Sequence, residues 1–295
     1  MSGQSDNYAS LRSAARYVRL FRDKVFVVKL GGDMLSDARA RRNICEQLAL
    51  LWNFSIPLVV VHGGGAELDA TCEAMGIEVK KIAGRRVTGK PVLDAAKMVF
   101  SKLQTDLLAD MRAAGLPCVG MSGVDGGVLH AEKRKQSDVD FGWVGDLTSV
   151  NPPLLSHLIK GGYVPVLAPL SANDQGEVFN TNADTIAAEV AAALSAEKLF
   201  FLLKVPGLLE DAANPSTLVN YADLKLLGAM EKTGKLKDGM LPKAAAVKLA
   251  LAKGVKSIHL VSGVDSNALL TEVFTNAGSG TMIVAESGSQ AEAVA

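Results

Sequence analysis

Aromatic residues are scarce, at 5% of the chain, and neither sign of charge is in excess, with 31 basic and 31 acidic residues among 295. So few aromatics leave little platform for stacking the bases of a single strand. Balanced charge lacks the basic face that a phosphate backbone demands. Cys45, Cys72 and Cys118 are the three cysteines and form no CxxC pair; they read as reduced core residues of a cytosolic protein. No apolar run approaches the ~18 residues of a membrane span. The opening "MSGQSDNYASLRSAARYVRLF" lacks the apolar core of a secretory leader. The expectation is a cytoplasmic protein with no nucleic-acid or membrane partner.

What is abundant is apolar surface, 48% of residues, enough for one large α/β domain or two lobes. Six runs read as strands: "VFVVKL" (25–30), "PLVVVH" (57–62), "PCVGMS" (117–122), "YVPVLAP" (163–169), "KLFFLL" (198–203) and "SIHLVS" (257–262). They are apolar throughout rather than alternating, as strands covered on both faces are. Helical stretches at 38–52, 66–75, 91–114, 183–194 and 243–253 lie between them. This alternation predicts a three-layer αβα sandwich with a mostly parallel central sheet. Ligands of such sheets sit beyond the carboxyl ends of the strands.

Glycines gather at those ends: "KLGGD" after the first strand, "HGGGAE" after the second, "MSGVDGG" after the third. A glycine may serve only the tight turn. Three clusters at one edge favour a shared ligand surface, where bare N–H groups at helix N-termini cradle an anion. "GRRVTGKP" (84–91) has the G-x-x-x-x-G-K spacing, but Pro91 stands where a P-loop needs Ser or Thr, and no strong strand precedes it. Lys29 interrupts an otherwise buried strand. Lys243 sits near a helix start, against the dipole, a conflict that an anionic ligand would resolve. In "NTNAD", Asn182 reads as an N-cap and Asp184 as a first-turn acid, whereas Asn180 has no such explanation. Arg85 and Arg86 can grip a carboxylate bidentately.

In order and spacing, "VVKLGG", "VVVHGGG", "GRRVT", "NTNAD", "GMLPK" and "GSGTMIV" resemble the N-acetylglutamate kinases of the amino acid kinase fold, over residues 25 to 284. The resemblance implies two lobes, an amino-acid-substrate lobe at 25–174 and a nucleotide lobe at 175–295, with residues 1–24 as an N-terminal helix that either packs on its own domain or pairs with its copy in another subunit. It implies ATP-dependent phosphorylation of the side-chain carboxylate of N-acetyl-L-glutamate, the second step of arginine biosynthesis, with Mg2+ carried by ATP and no protein-held metal. By motif, Lys29, Lys243 and Asp184 are the implied catalytic residues. Gly64, Gly65, Arg86 and Asn180 are implied for the amino acid; Gly31, Gly32, Lys204, Gly207 and Lys243 for the nucleotide. The helix before the first strand and the "GSGTMIV" segment imply a homodimer or a hexamer of dimers inhibited by L-arginine. In "ASLRSAARYVRLF" the expected apolar face is Leu11, Ala14, Ala15, Val18 and Phe21, with Ser10 as N-cap.

Two positions depart from the family pattern. Leu203 and Lys204 stand where Thr-Asp or Ser-Asp is usual, and Asp33 where a small residue is usual. An acid near a phosphate path is unwelcome unless it points away or pairs with a lysine. Two other readings remain open: a kinase acting on aminoadipate or glutamate attached to a carrier protein, and a non-catalytic amino-acid sensor.

Overall fold

The computed structural model describes residues 12, 14–82, 85–135, 139–236 and 239–286. All six expected strands form within it. Together with two short ones they build an eight-stranded sheet: β1 Phe26–Leu30, β2 Leu58–His62, β3 Cys118–Ser122, β4 Val164–Ala168, β5 Lys198–Leu203, β6 Tyr221–Asp223, β7 Ser257–Ser262 and β8 Thr281–Val284. Their spatial order is β6-β8-β7-β5-β1-β2-β4-β3. Neighbours run parallel except β7 and β8. The sheet is continuous through β1 and β5, so both implied lobes share one backbone ladder.

Every residue of β1, β2, β4, β5 and β7 is buried, as strands covered on both faces must be. Successive side chains feed two cores on opposite faces of the sheet. Val28, Leu30 and Val60 join one with Phe100 and Leu103; Val27, Val59 and Val61 join the other with Ile186 and Val247. Each such side chain contributes roughly 1.5–3 kcal/mol by leaving water.

The five expected helices form at Ala38–Asn53, Gly65–Ala74, Lys90–Ala113, Ala183–Ala193 and Met240–Ala252. The last begins three residues earlier than expected, taking Pro242 into its first turn, where a missing N–H costs nothing. A four-residue helix, Gly32–Leu35, follows β1. A four-stranded sheet of Leu129–Lys133, Gly145–Val150, Leu170–Ala172 and Val178–Asn180 covers one end of the large sheet. Its strands alternate or carry exposed polar residues, so they leave no apolar run to find.

Residues 14–21 are helical, whereas the expected Ser10 cap and Leu11 lie outside the described residues. Tyr17 and Phe21 are buried, with Phe21 edge-on to Phe26 at 5.3 Å. Ala15, expected on the apolar face, is exposed. The buried residues are instead Tyr17 and Phe21, four apart on one face, with 14, 18 and 20 half-buried beside them. The last turns of this helix therefore pack on their own domain.

Candidate active site

The turns after β1 and β2 touch through their backbones. A Cβ on Gly32 would lie 2.7 Å from the Gly64 Cα, and one on Gly64 would lie 2.8 Å from both Phe100 and Leu103 side chains. No heavy atom tolerates such approach, so both positions require glycine for packing. The glycine run thus has two reasons: protein backbone presses on it from one side, and a cavity opens on the other. The first backbone bond of the helix Gly65–Ala74 runs from Leu68 N–H to the Gly64 carbonyl at 2.9 Å. The N–H groups of Gly65, Ala66 and Glu67 therefore have no acceptor within the helix and suit an anion.

This cavity encloses about 320 Å³, and Lys29, Gly32, Gly64, Gly65, Arg86, Asn180 and Asp184 are among the residues that line it. Seven residues singled out in the sequence thus meet in one place. Asp184 lies between two lysines: Lys29 Nζ is 2.8 Å from Oδ1, and Lys243 Nζ is 3.3 Å from Oδ2. Lys29 is 6% exposed, so it does not snorkel to water as an isolated strand-end lysine would. Burial alone would raise the Asp184 pKa, but the two ammonium groups outweigh it and hold the carboxyl below its ordinary value. Burial pushes the Lys243 ammonium down, and the nearby Lys29 charge adds to that push against the pull of Asp184. Two cations share one anion, so the cluster carries a net positive charge; Lys29 and Asp184 line the cavity, and Lys243, which does not, joins them through its pair with Asp184. Asn182 caps the helix as expected, accepting from the N–H groups of Asp184 and Thr185 at 2.9 and 3.0 Å. That cap fixes Asp184 in the first turn.

Arg86, also in the lining, belongs to a two-residue strand paired with Lys81–Ile82. Its guanidinium donates to Asp69 Oδ1 through Nη1 and to the Gly65 carbonyl through Nη2 at 2.8 Å. Asp69 also takes Lys81 at 2.6 Å. Arg86 is thereby pinned to the glycine helix with donors left over for a ligand; Arg85 is exposed. Asn180 Nδ2 donates to Thr88 Oγ1 at 3.2 Å. His62 is fully buried and stays neutral, its pKa lowered to about 4 chiefly by burial.

Sequence reasoning missed Asp69 and Arg134. Arg134 reaches the cavity from the smaller sheet, its Nε donating to both Asp146 oxygens at 2.9 and 3.2 Å. Neither stands in a recognisable motif. The only signal for Asp69 is its place one helical turn after Gly65, on the face towards Arg86.

The nucleotide residues do not all converge. Gly31 borders β5, 3.6 Å from the Leu202 carbonyl measured from a built Cβ, and Gly207 packs so closely that a Cβ would sit 2.6 Å from Thr281 Oγ1. Neither lines the cavity. Lys204 and Asp33, the two departures from the pattern, pair with each other at 3.3 Å. Among the described residues no group of three or more His, Cys, Asp or Glu is arranged to hold a metal ion, and both Asp184 oxygens are committed to lysines.

Residues 24–262 match the model of the amino acid kinase family. The chain belongs to this family. It is 59% identical to the acetylglutamate kinase of Myxococcus xanthus (strain DK1622), covering 95% of each chain, and 38% identical to that of Methanocaldococcus jannaschii over 92% of this chain and 94% of the relative. Among solved structures, N-acetylglutamate synthase from Neisseria gonorrhoeae, complexed with coenzyme A and N-acetyl-glutamate, superposes with a TM-score of 0.86 at 24% identity. The superposition covers 97% of this chain and 67% of the synthase, so the two share a fold. In this amino acid kinase Lys29, the turns at Gly32 and Gly64–Gly65, and Arg86 all line one cavity. No described helix is long and apolar enough to cross a membrane.

Proposed function

We infer that this protein transfers the γ-phosphoryl group of ATP to the side-chain carboxylate of N-acetyl-L-glutamate, the second step of arginine biosynthesis. The observation that carries this reading is the Lys29–Asp184–Lys243 cluster, whose Lys29 and Asp184 line the same cavity as Arg86. One carboxylate of the substrate is clamped by Arg86 and Asn180; the other faces the lysines. A carboxylate oxygen attacks the γ-phosphorus, the bond to the β-phosphate bridging oxygen breaks, and ADP leaves with that electron pair. Charge balances without any proton moving, because a carboxylate is already a nucleophile at pH 7. This fits a site whose one buried histidine is neutral and whose one buried acid is salt-bridged: neither is free to act as a base.

Catalysis then rests on in-line placement and on cations that meet the charge spreading over the phosphoryl oxygens. Lys29 and Lys243 supply those cations, and Asp184 sets their spacing. The N–H groups at the start of the Gly65–Ala74 helix, beside Gly64, hold an anionic oxygen between the two reactants. Magnesium, travelling with the nucleotide, neutralises the β- and γ-phosphate oxygens. Gly32 and the turns after β1 and β5, with Lys204, border the nucleotide. A sensor role is disfavoured by the retained lysines. The carrier-linked alternative is separated by substrate: ADP release should be seen with free N-acetylglutamate and not with glutamate, aspartate or aminoadipate. Turnover of a carrier-linked substrate alone would overturn the reading.

Arg86→Lys should raise the KM for N-acetylglutamate at least tenfold and leave that for ATP nearly unchanged, because a point charge does not replace a planar two-donor clamp already oriented by Asp69. Arg85→Lys should do little. Steady-state kinetics of both variants check this, and the reverse pattern would place the clamp on Arg85.

The enzyme is a cytoplasmic homo-oligomer, a dimer or a hexamer of dimers, inhibited by L-arginine. Supporting this is a buried cluster beneath the N-terminal helix. Glu272 accepts from the N–H groups of Ser279 and Gly280, within the "GSG" segment, at 2.7 and 2.9 Å, and from His259 at 2.6 Å. Lys198 Nζ approaches His259 at 3.0 Å and lies over the Phe21 ring. A solved N-acetylglutamate synthase of the same fold is complexed with coenzyme A and L-arginine. Removing residues 1–13 leaves Tyr17 and Phe21 in place, so the shortened enzyme should fold and turn over. Sedimentation should show it as a dimer while the full chain is larger; a full-length dimer insensitive to arginine would contradict the regulatory reading.

A further inference from the structure

Asp33 and Lys204 occupy the ends of adjacent parallel strands. Asp33 is in the short helix after β1, Lys204 directly follows β5, and Leu30 and Leu202 are in register between them. Their side chains meet at 3.3 Å with 45% and 63% of their surface exposed. The two are unequal partners. Asp33 is short and fixed: Met34 and Leu35 beside it are 2% and 1% exposed, and Met34 fills the space against Gly263. Arg41 donates to the Leu35 carbonyl, which further anchors that turn. Lys204 carries its charge on a four-carbon stem in solvent and is the partner free to move.

The pair stands next to the cavity, since Gly32, the residue before Asp33, lines it. Asp33 holds Lys204 only by an exposed ion pair, which the phosphates of an incoming nucleotide can displace.

We propose that Asp33 parks Lys204 at the mouth of the phosphoryl path, and that the phosphates of a bound nucleotide compete with Asp33 for the same ammonium group. Lys204 after β5 thereby supplies a mobile cation, and Asp33 after β1 the acid that holds it. Lys204 becomes a third phosphate-facing lysine when nucleotide is bound, and the strength of its pair with Asp33 sets part of the nucleotide affinity. This rests on the reading that the turns after β1 and β5 border the nucleotide.

A double-mutant cycle read by calorimetry tests it on the full-length enzyme, with MgADP and with metal-free ADP as titrants. Both side chains are exposed, and thermal melts establish that the variants fold. Asp33→Asn should tighten MgADP binding roughly two- to fivefold, the range an exposed ion pair can account for. Lys204→Gln should loosen it by a similar factor, and Asp33→Asn should have no further effect in the Lys204→Gln background. Tightening that persists in that background would make Asp33 a simple repulsive charge and overturn the proposal. Loss of affinity for MgADP but not for metal-free ADP in Asp33→Asn would place Asp33 against the metal and overturn it equally. A wild-type enzyme that binds no nucleotide would sink the nucleotide-site reading itself, whereas normal wild-type binding unaltered by Asp33→Asn sinks only the parking role.

Discussion

Replacing Lys29 or Lys243 with alanine should lower kcat by roughly 10²–10³, the loss that follows removal of one preorganised donor from developing charge. KM for N-acetylglutamate should change much less, because Arg86 and Asn180 hold the far end of that substrate and are untouched. A fall in kcat and kcat/KM together is the signature of an interaction made only in the transition state. The two variants should differ in one respect. Lys29 is buried in a strand, whereas Lys243 is on a helix start and also donates to the Gly239 carbonyl at 3.2 Å. Lys29→Ala leaves a void in a central strand, between Phe201 and Val61, and should also destabilise the fold; Lys243→Ala should not. Steady-state kinetics with thermal melts check both points. A Lys243→Ala enzyme with near-normal kcat would remove that lysine from the chemistry.

Asp184→Asn should be the most destabilising single change at this site. It keeps the shape and deletes the anion between two ammonium groups 2.8 and 3.3 Å away, neither of which can reach bulk water freely. Removing one partner of a buried ion pair costs about 3–5 kcal/mol, because the remaining charge is left buried and uncompensated. The variant relieves part of that cost by releasing a proton from a lysine. Burial already lowers the Lys243 pKa, and without Asp184 it falls further. The unfolded chain then binds a proton that the folded chain does not, so stability should rise with pH up to the ordinary lysine value of about 10.4. Wild-type Asp184 behaves in the opposite limb. Its folded pKa lies below the unfolded value, so its contribution is complete above the ordinary carboxylate range and is lost as pH falls through the folded value. Denaturant melts of both proteins at pH 7 and pH 9.5 read this directly. An Asp184→Asn protein as stable as wild type at pH 7, or one that does not recover stability at alkaline pH, would mean that the lysines find another partner.

Six strands and five helices were legible because parallel strands buried on both faces concentrate Val, Ile, Leu and Phe into runs with few polar interruptions, of which Lys29 in β1 marked the site. Strands β6 and β8 were not, since three or four residues at a sheet edge give too little pattern. The smaller sheet was lost for a different reason: Gly145–Val150 is exposed at alternate positions and polar at several. At the site, motif residues were legible because glycine, lysine and asparagine are costly in buried turns and so stand out. Solitary contacts were not. Asp69 and Arg134 acquire their roles only through folding, which sets Asp69 beneath Arg86 and brings Arg134 across from the smaller sheet. Asp33 and Lys204 each looked anomalous alone; the sheet register makes them one ion pair. Gly207 shows the converse, a motif glycine whose bareness is explained by Thr281 packed against it.

The most direct test of carboxylate phosphorylation is capture of the product. Incubation with MgATP, N-acetyl-L-glutamate and hydroxylamine converts an acyl phosphate to a hydroxamate, which forms a coloured ferric complex. Hydroxamate should accumulate in equal amount to ADP, only when both substrates are present, and the Lys243→Ala enzyme should form it at least a hundredfold more slowly, in line with the loss of one preorganised donor. ADP release without hydroxamate, or hydroxamate formation unaffected by loss of Lys243, would contradict phosphoryl transfer to a carboxylate at this site.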